Sequence, residues 1–291
     1  MTALFENAIP LAALYGLIAV GYVVIYRASG VLNFAHGGLM VLGAFIGFAL
    51  AGIGIVGIVV FPLVILAGAA IGGLFYRLAM RPMAGQPVWA AVLVTIGFGF
   101  FVVIGIVQMI WSPRIRDFSG DLGFANGNHE VLGLRFSTIE LVLIASFVVV
   151  EAALLAFYRW SRSGIRMRAA SQDHHLSAYR GINIDIVFAL AWGIATGLVM
   201  YVGFAYSVDA RLDMGAIGAL ALKAFPAALA GGMDSVGGVV AGALVIAFAE
   251  VYVQLEVDPL LAEAVPYLAL LLVLIVRPWG LFGTPEAVDR V

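Results

Sequence analysis

The chain has no cysteine and a single lysine, Lys223, and only 11% of its 291 residues are charged. Without cysteine, neither a disulfide framework nor a thiolate metal site can form. The lone lysine also rules out a nucleotide site of the phosphate-loop kind, which needs lysine directly after the second glycine of GxxxxGK[ST]. Lys223 follows Leu222 instead. A net charge of −2 excludes a broad nucleic-acid surface, because a phosphate backbone is bound by concentrated positive charge. Histidine is scarce as well. His174 and His175 are adjacent, so on a helix they point roughly 100° apart and cannot share a metal as an i, i+4 pair would. His36 has no carboxylate close in sequence to orient it, and it reads as a packed or pore-lining imidazole rather than a base. With no metal cluster and no paired base and nucleophile, the sequence does not read as an enzyme.

Apolar residues are what the chain has in quantity: 64% of it is hydrophobic, and the mean hydropathy is +1.10. A soluble fold must turn a charged exterior to water, so this composition indicates a polytopic membrane protein. The 35 glycines point to closely packed helices, since small residues let backbones approach where lipid removes the hydrophobic drive for association. GxxxG pairs occur at Gly43/Gly47, Gly68/Gly72, Gly193/Gly197 and Gly238/Gly242, each either a helix contact or a coincidence in a glycine-rich chain. No Lys or Arg precedes the first apolar run in MTALFENA, so no cleavable signal peptide is expected.

Taken in order, residues 9–26 form a first apolar run long enough to span, closed by Arg27. A second, 31–51, opens with Asn33, His36, Gly37 and Gly38, so its first turn is expected to be irregular or broken. Non-helical backbone at membrane depth is tolerated only where protein or a water-filled cavity surrounds it, which makes this segment a candidate pore wall. The third run, 54–80, carries Pro62 and closes at Arg77 and Arg81. Thr95 and Gln108 lie in the fourth, 88–111. The Thr95 hydroxyl either lines a path or bonds a carbonyl one turn earlier. A polar loop, 112–137, leads to the fifth span, 138–158, and the sixth runs 186–206. Residues 215–235 hold Lys223, Pro226 and Gly231-Gly232. A lysine near mid-membrane costs roughly 2.5–3.5 kcal/mol on insertion scales, so it should face the protein interior or snorkel to an interface. Two more spans, 236–253 and 264–276, are joined by an acidic loop with Glu256, Asp258 and Glu263. The fold class expected is all-α: an integral membrane helical bundle of about eight to nine embedded segments, some broken or re-entrant, the Lys223 segment above all.

Between the fifth and sixth spans lies a long polar stretch, 159–185, with Arg159, Arg162, Arg166, Arg168 and Arg180. Residues 166–180 lack Pro and Gly, Arg180 suits the negative end of a helix dipole, and Gly181 supplies a left-handed stop, so a short surface helix is expected. Such a helix is either a docking element or simply the charged side of a membrane protein. Placing this stretch in the cytoplasm gives the same side Arg27, Arg77, Arg81, Arg277 and Arg290, and leaves the other only Arg114, Arg116, Arg135 and Arg211. The positive-inside rule then sets an outside N-terminus and an inside C-terminus.

Four motifs, in order, resemble the LivH-type permease subunits of bacterial high-affinity branched-chain amino acid ABC importers. They are RASGVLNFAHGGLMVLGA at 27–44, SGIRMRAASQDHHLSAYRGIN at 163–183, ALKAFPAALAGGMDSVGGVVAGALVIAFAE at 221–250 and RPWGLFG at 277–283. The resemblance covers nearly the whole chain. It implies one transmembrane permease domain, 1–291, in the bacterial inner membrane. It also implies a second homologous permease, two cytoplasmic ATPase subunits that hold ATP and magnesium, and a periplasmic solute-binding protein. This chain would carry no cofactor. The stretch 159–185 would supply the coupling helix, with Gly164 setting its opening turn and Gly181 its exit, Ala169 within it, and Arg166, Arg168 and Asp173 making charged contacts with the ATPase. His174-His175 and Ser177 depart from the family's usual residues, which bears on partner specificity. Asn33, His36, Thr95 and Lys223, polar groups in apolar segments, are the translocation-path candidates. The competing reading is a stand-alone secondary transporter or channel with helices broken at 33–38 and 226–232. Such carriers usually show an intramembrane carboxylate. Only Glu151 and Glu250 qualify here, and both read as interfacial, near span ends.

Overall fold

The computed structural model describes every residue except 113, 118–121, 125, 173 and 285–291. Asp173 and Arg290 therefore lie outside the described residues, as do the side chains of His174 and His175. Among the described residues, seven helices are long and apolar enough to cross a membrane, and two shorter apolar ones accompany them.

Helix α1 (Thr2–Ser29) is the axis of the bundle: 89% of its most apolar window is buried, because α6, α9, α10 and α11 pack around it. Gly30 ends it in the left-handed conformation, φ 68°, and its N–H returns to the Tyr26 carbonyl. Residues 31–35 then run without helix before α2 (His36–Gly52), so the second span does begin broken. Helix α3 (Gly57–Phe75) continues through a π turn, Tyr76–Met80, into Arg81–Met83. Helices α4 (Val88–Gly97) and α5 (Ile104–Trp111) are one span joined by a second π segment, Phe98–Val103. There Gly99 comes so close to Ala35 that an added Cβ would lie 2.7 Å from the Ala35 Cα, and a widened turn admits that approach.

The loop 112–137 carries a feature the sequence did not announce, an antiparallel hairpin of β1 (Asn128–Val131) and β2 (Leu134–Ser137). Its turn places Leu132 and Gly133 at φ 55° and 78°, the two positive values of a tight two-residue hairpin turn. Ser137 and Glu140 form a reciprocal capping box that starts α6 (Thr138–Trp160). The polar stretch folds as α7 (Arg162–Gln172) and α8 (His174–Tyr179), so the surface helix begins four residues earlier than expected and comes in two pieces. Helix α9 (Ile184–Asp209) follows, then α10 (Met214–Gly231), α11 (Val236–Glu256), the short α12 (Pro259–Ala262) and α13 (Val265–Val276).

Two expectations fail here. The Lys223 segment is a continuous 18-residue helix, α10, that passes through Pro226 and turns only at Gly232; it is neither broken at Pro226 nor too short to cross. The shorter apolar helices are α2 and α13 instead. Proline removes one backbone bond, and neighbouring helices tolerate that inside a bundle. Glu151 and Glu250, expected at interfaces, are both buried, at 6% and 7% exposure.

All four GxxxG pairs prove to be contacts. Gly43 meets the Met200 backbone and Gly47 the Phe204 ring, both on α9; Gly203 of α9 answers against the Met40 carbonyl. Gly68 and Gly72 of α3 face Gly197 and Thr196 of α9, and Gly193 faces the Ala69 carbonyl. Gly238 and Gly242 of α11 lie on the backbone of Gly231 and Ala227 in α10. Glycine on one helix against carbonyls of the next is how this bundle closes without large side chains between its axes.

Candidate functional site

Two regions carry the polar chemistry: one end of the bundle, and the interior of the spans. At the end, Ser161 is extended and its hydroxyl accepts from the Gly164 N–H at 2.8 Å, so the chain turns from α6 into α7 within a residue. Gly164 itself is helical, and what it supplies is room rather than a turn: any Cβ there would strike the Phe157 carbonyl and the Tyr158 Cα. The assignment of Gly164 as the opening turn is thus corrected. Gly164, Met167 and Ala170 are buried at three-residue intervals, laying one face of α7 on α6, α1 and α9. Arg27, in the last turn of α1, sits over the Tyr158 ring at 4.7 Å and ties the same corner.

The remaining positions of α7 are exposed or half-buried. Arg166 and Arg168 are exposed, Ala169 is half-buried, and Ile165 is 47% exposed. Tyr179 at the end of α8 is 89% exposed. Gly181 takes φ 80° and ends the pair as expected. Asn183 then caps α9 by accepting from the Ile186 N–H at 3.2 Å. Arg168 also borders a cavity of about 740 Å³ shared with Arg27, Asp234 and Thr284. Arg81, through its 2.8 Å ion pair to Asp185, lies at this end too. At the opposite end the 116–212 bridge and the bond from the Arg135 N–H to Glu6 collect the arginines of the other set.

Inside the spans, three of the four path candidates come together. Asn33 sits in the break before α2, His36 is the first residue of α2, and Thr95 is on α4, all at 1% exposure or less. His36 stacks on Tyr22 at 3.9 Å between ring centroids, and its Nδ1 lies 2.9 Å from the Asn33 carbonyl. The Thr95 hydroxyl donates to the Val92 carbonyl, the local bond weighed above, and also accepts from the Phe34 N–H at 3.1 Å, so it pins the non-helical stretch to α4. Among the described residues the Asn33 amide nitrogen has no hydrogen-bond partner, and His36 Nε2 faces the Gly21 backbone.

Lys223 does not join them. Its ammonium lies 3.4 Å from Glu250 Oε1 and 3.5 Å from Glu263 Oε1, while Tyr15 of α1 donates to Glu250 Oε2 at 2.7 Å. The Lys223 side chain is 20% exposed and that of Glu263 73%, so the network runs from the buried interior toward the surface across α1, α10, α11 and the end of α12. The two sets are linked on α10, where Tyr22 donates to the Ala221 carbonyl and meets the Phe225 ring. Sequence reasoning missed Tyr15, Glu250 and Glu263 as partners. The signal available was Lys223 itself, since a cation in an apolar segment requires a counter-charge. Glu151, on the inner face of α6, has neither carboxylate oxygen hydrogen-bonded among the described residues. Among the described residues no group of three or more His, Cys, Asp or Glu could hold a metal ion.

Comparison with known proteins agrees with this architecture. A family model described as branched-chain amino acid transport system, permease component, matches residues 4–274. The LivH high-affinity branched-chain amino acid transport permease of Escherichia coli K12 is 29% identical over 98% of this chain and 96% of its own length. The BraD permease of Pseudomonas aeruginosa is likewise 29% identical over 98% of this chain. A probable LivH permease of Methanocaldococcus jannaschii is 22% identical over 96%. Among solved structures, PsaBC from Streptococcus pneumoniae, in complex with Fab, superposes with a TM-score of 0.52 at 14% identity over 96% of this chain and 94% of that one, a likeness of fold.

Proposed function

Because the chain belongs to the family of branched-chain amino acid transport permeases, and is a transport subunit rather than an enzyme, we propose that it is the membrane subunit of an ATP-driven importer. Its cargo is branched-chain amino acids or related small polar solutes. It works as a single transmembrane domain, 1–291, with its N-terminus outside and the polar stretch 159–185 in the cytoplasm, the placement the arginine asymmetry favours. A second homologous permease completes the pathway, two cytoplasmic ATPase subunits supply ATP and magnesium, and a periplasmic solute-binding protein delivers cargo.

The observation that carries the proposal is the two-faced α7. Its inner face, Gly164, Met167 and Ala170, lies against three transmembrane helices, while Arg166 and Arg168, about 200° apart around the helix, flank that face and are exposed. An ATPase that engages the exposed arginines flanking α7 moves α6, α1 and α9 with it, because no flexible linker separates α7 from α6. Asp173 joins that contact in this reading. Closure of the ATPase pair on ATP then rocks the bundle between outward- and inward-open states. Asn33, His36, Thr95 and Lys223 lie along the path that opens. Asn33 keeps an amide nitrogen, unpartnered among the described residues, with which a solute or water could pair.

A pull-down from native membranes tests this. The intact chain is expected to bring down an ATPase and a second permease, and the Arg166→Glu/Arg168→Glu variant to lose the ATPase while keeping the permease. Recovery of the ATPase with both proteins would reject the assigned contact. Its absence from the intact pull-down would favour the second reading, ion-coupled transport, for which the buried and unpaired Glu151 speaks.

A further inference from the structure

Two cavities lie end to end along the outside of the seam between α3 and α9. The first, about 400 Å³, is a furrow whose floor is small: Ala69, Ala70 and Gly73 on α3 and Ala189 on α9, walled by Leu74 and Leu190. The second, also about 400 Å³, is bordered by Arg77, Arg81, Asn183 and Asp185. Arg77 and Ile186 border both, so furrow and polar mouth are continuous. The furrow exists because α3 and α9 are drawn together by glycines. An added Cβ on Gly73 would lie 3.8 Å from the Ala189 carbonyl, with no other heavy atom within 4 Å.

This face looks outward from the bundle. Only 33% of the most apolar window of the α3 span is buried, and Leu74 and Ile186 are 56% and 54% exposed. In a membrane such a surface meets acyl chains. From Ala69 to Arg77 the furrow extends about 12 Å along the helix, and at its end the chemistry changes from aliphatic to guanidinium. Arg81 is held in place, since its partner Asp185 also accepts from the Tyr76 hydroxyl at 3.1 Å. Arg77 makes no ion pair among the described residues. Two guanidinium groups against one carboxylate leave the mouth with a net positive charge, and the planar fork of arginine suits a phosphate. The π turn Tyr76–Met80 separates the two arginines by one wide turn, an irregularity common at binding sites.

We propose that this seam binds one anionic phospholipid, with its phosphate between Arg77 and Arg81 and one acyl chain along the furrow floored by Ala70 and Gly73. The inference depends on the chain spanning a membrane and is independent of what it transports.

Native mass spectrometry of the purified full chain, exchanged into micelles containing equal amounts of phosphatidylglycerol and phosphatidylethanolamine, tests it. The intact protein should retain a phosphatidylglycerol adduct in preference to phosphatidylethanolamine. Arg77→Gln/Arg81→Gln should weaken that adduct roughly tenfold, from about a fivefold effect per arginine discounted for exposure. Ala70→Phe, which fills an exposed furrow position without touching the charge, should also weaken it several-fold. Monodisperse elution of each variant controls for folding. No preference for phosphatidylglycerol, or equal adducts in the intact and arginine variants, overturns the proposal. Sensitivity to the arginines without sensitivity to Ala70→Phe overturns it too, because it would mean a headgroup or free phosphate at the mouth and no lipid in the furrow.

Discussion

Removing the cation from the buried network should destabilise the protein, and removing its buried partner as well should restore part of what is lost. Lys223 Nζ sits 3.4 Å from Glu250 Oε1, with the Glu250 side chain only 9% exposed. At an effective dielectric of about 20, that separation corresponds to about 5 kcal/mol of attraction. Both ions were desolvated to reach it, so the pair as a whole contributes far less than this. Lys223→Met keeps the stem's packing but leaves the Glu250 carboxylate buried with only the Tyr15 hydroxyl for company. Breaking one side of a buried pair costs about 3–5 kcal/mol, and the 20% exposure of Lys223 argues for the lower figure. Glu250→Gln should cost less, about 1–2 kcal/mol, because Lys223 retains the exposed Glu263 and the new amide can still accept from Tyr15. The double variant, Lys223→Met/Glu250→Gln, should be more stable than Lys223→Met alone. The assay is thermal loss of the monodisperse peak in size-exclusion chromatography, with Lys223→Met expected about 5–10 °C below the parent, scaled from roughly 2–4 °C per kcal/mol in large domains. If the two single shifts simply add in the double variant, Lys223 and Glu250 are not coupled and the reasoning fails.

The same melting assay tests the helix seams: Gly203→Ala, whose Cβ would meet the Met40 carbonyl, should cost about 1–3 kcal/mol, while Gly52→Ala, which meets nothing within 4 Å, should be neutral or slightly stabilising. A Gly203→Ala protein melting with the parent would mean that α2 and α9 do not pack as described. Glu151→Gln replaces an unbonded buried carboxylate by a neutral group of the same shape. It should preserve both the melting temperature and ATP-dependent uptake. Loss of uptake with stability intact would instead assign Glu151 to an ion-coupled mechanism.

The features that could be read from the sequence are those whose causes lie within a few residues. Gly181 follows a run of helix-forming residues and ends it at φ 80°, as the local pattern required. The cluster from Asn33 to Gly38 interrupts an apolar run, and the helix indeed begins only at His36. Gly164 shows the boundary of such reasoning. A glycine opening a polar loop reads as a turn, yet this one is helical and exists because the Phe157 carbonyl approaches from α6. The π segment at Phe98–Val103 likewise answers to Ala35, more than sixty residues away, and nothing within the segment announces it.

Charge in the interior obeys a rule that the sequence alone could have taken one step further. Lys223 in an apolar helix demands a carboxylate, and the chain has two within spans, Glu151 and Glu250. Glu250 stands three residues before the apolar run 236–253 ends, whereas α11 stays helical to Glu256 and so carries it well inside its end, and Glu151 lies nine residues before the end of α6. Choosing between the two requires knowing that α10 and α11 are antiparallel neighbours turned at Gly231–Gly238, which brings residue 223 beside residue 250. The four-residue turn sets the two helices side by side, and the contacts of Gly231 with Gly238 and of Ala227 with Gly242 put residue 223 level with about residue 246, so the Lys223 stem reaches roughly one helical turn further to meet Glu250. Glu151 lies on a helix joined to α10 through α7, α8 and α9, so no comparable constraint brings it to Lys223. Its burial without a partner is therefore a separate feature of the bundle, which is why its replacement by glutamine and the break of the Lys223 pair test different things.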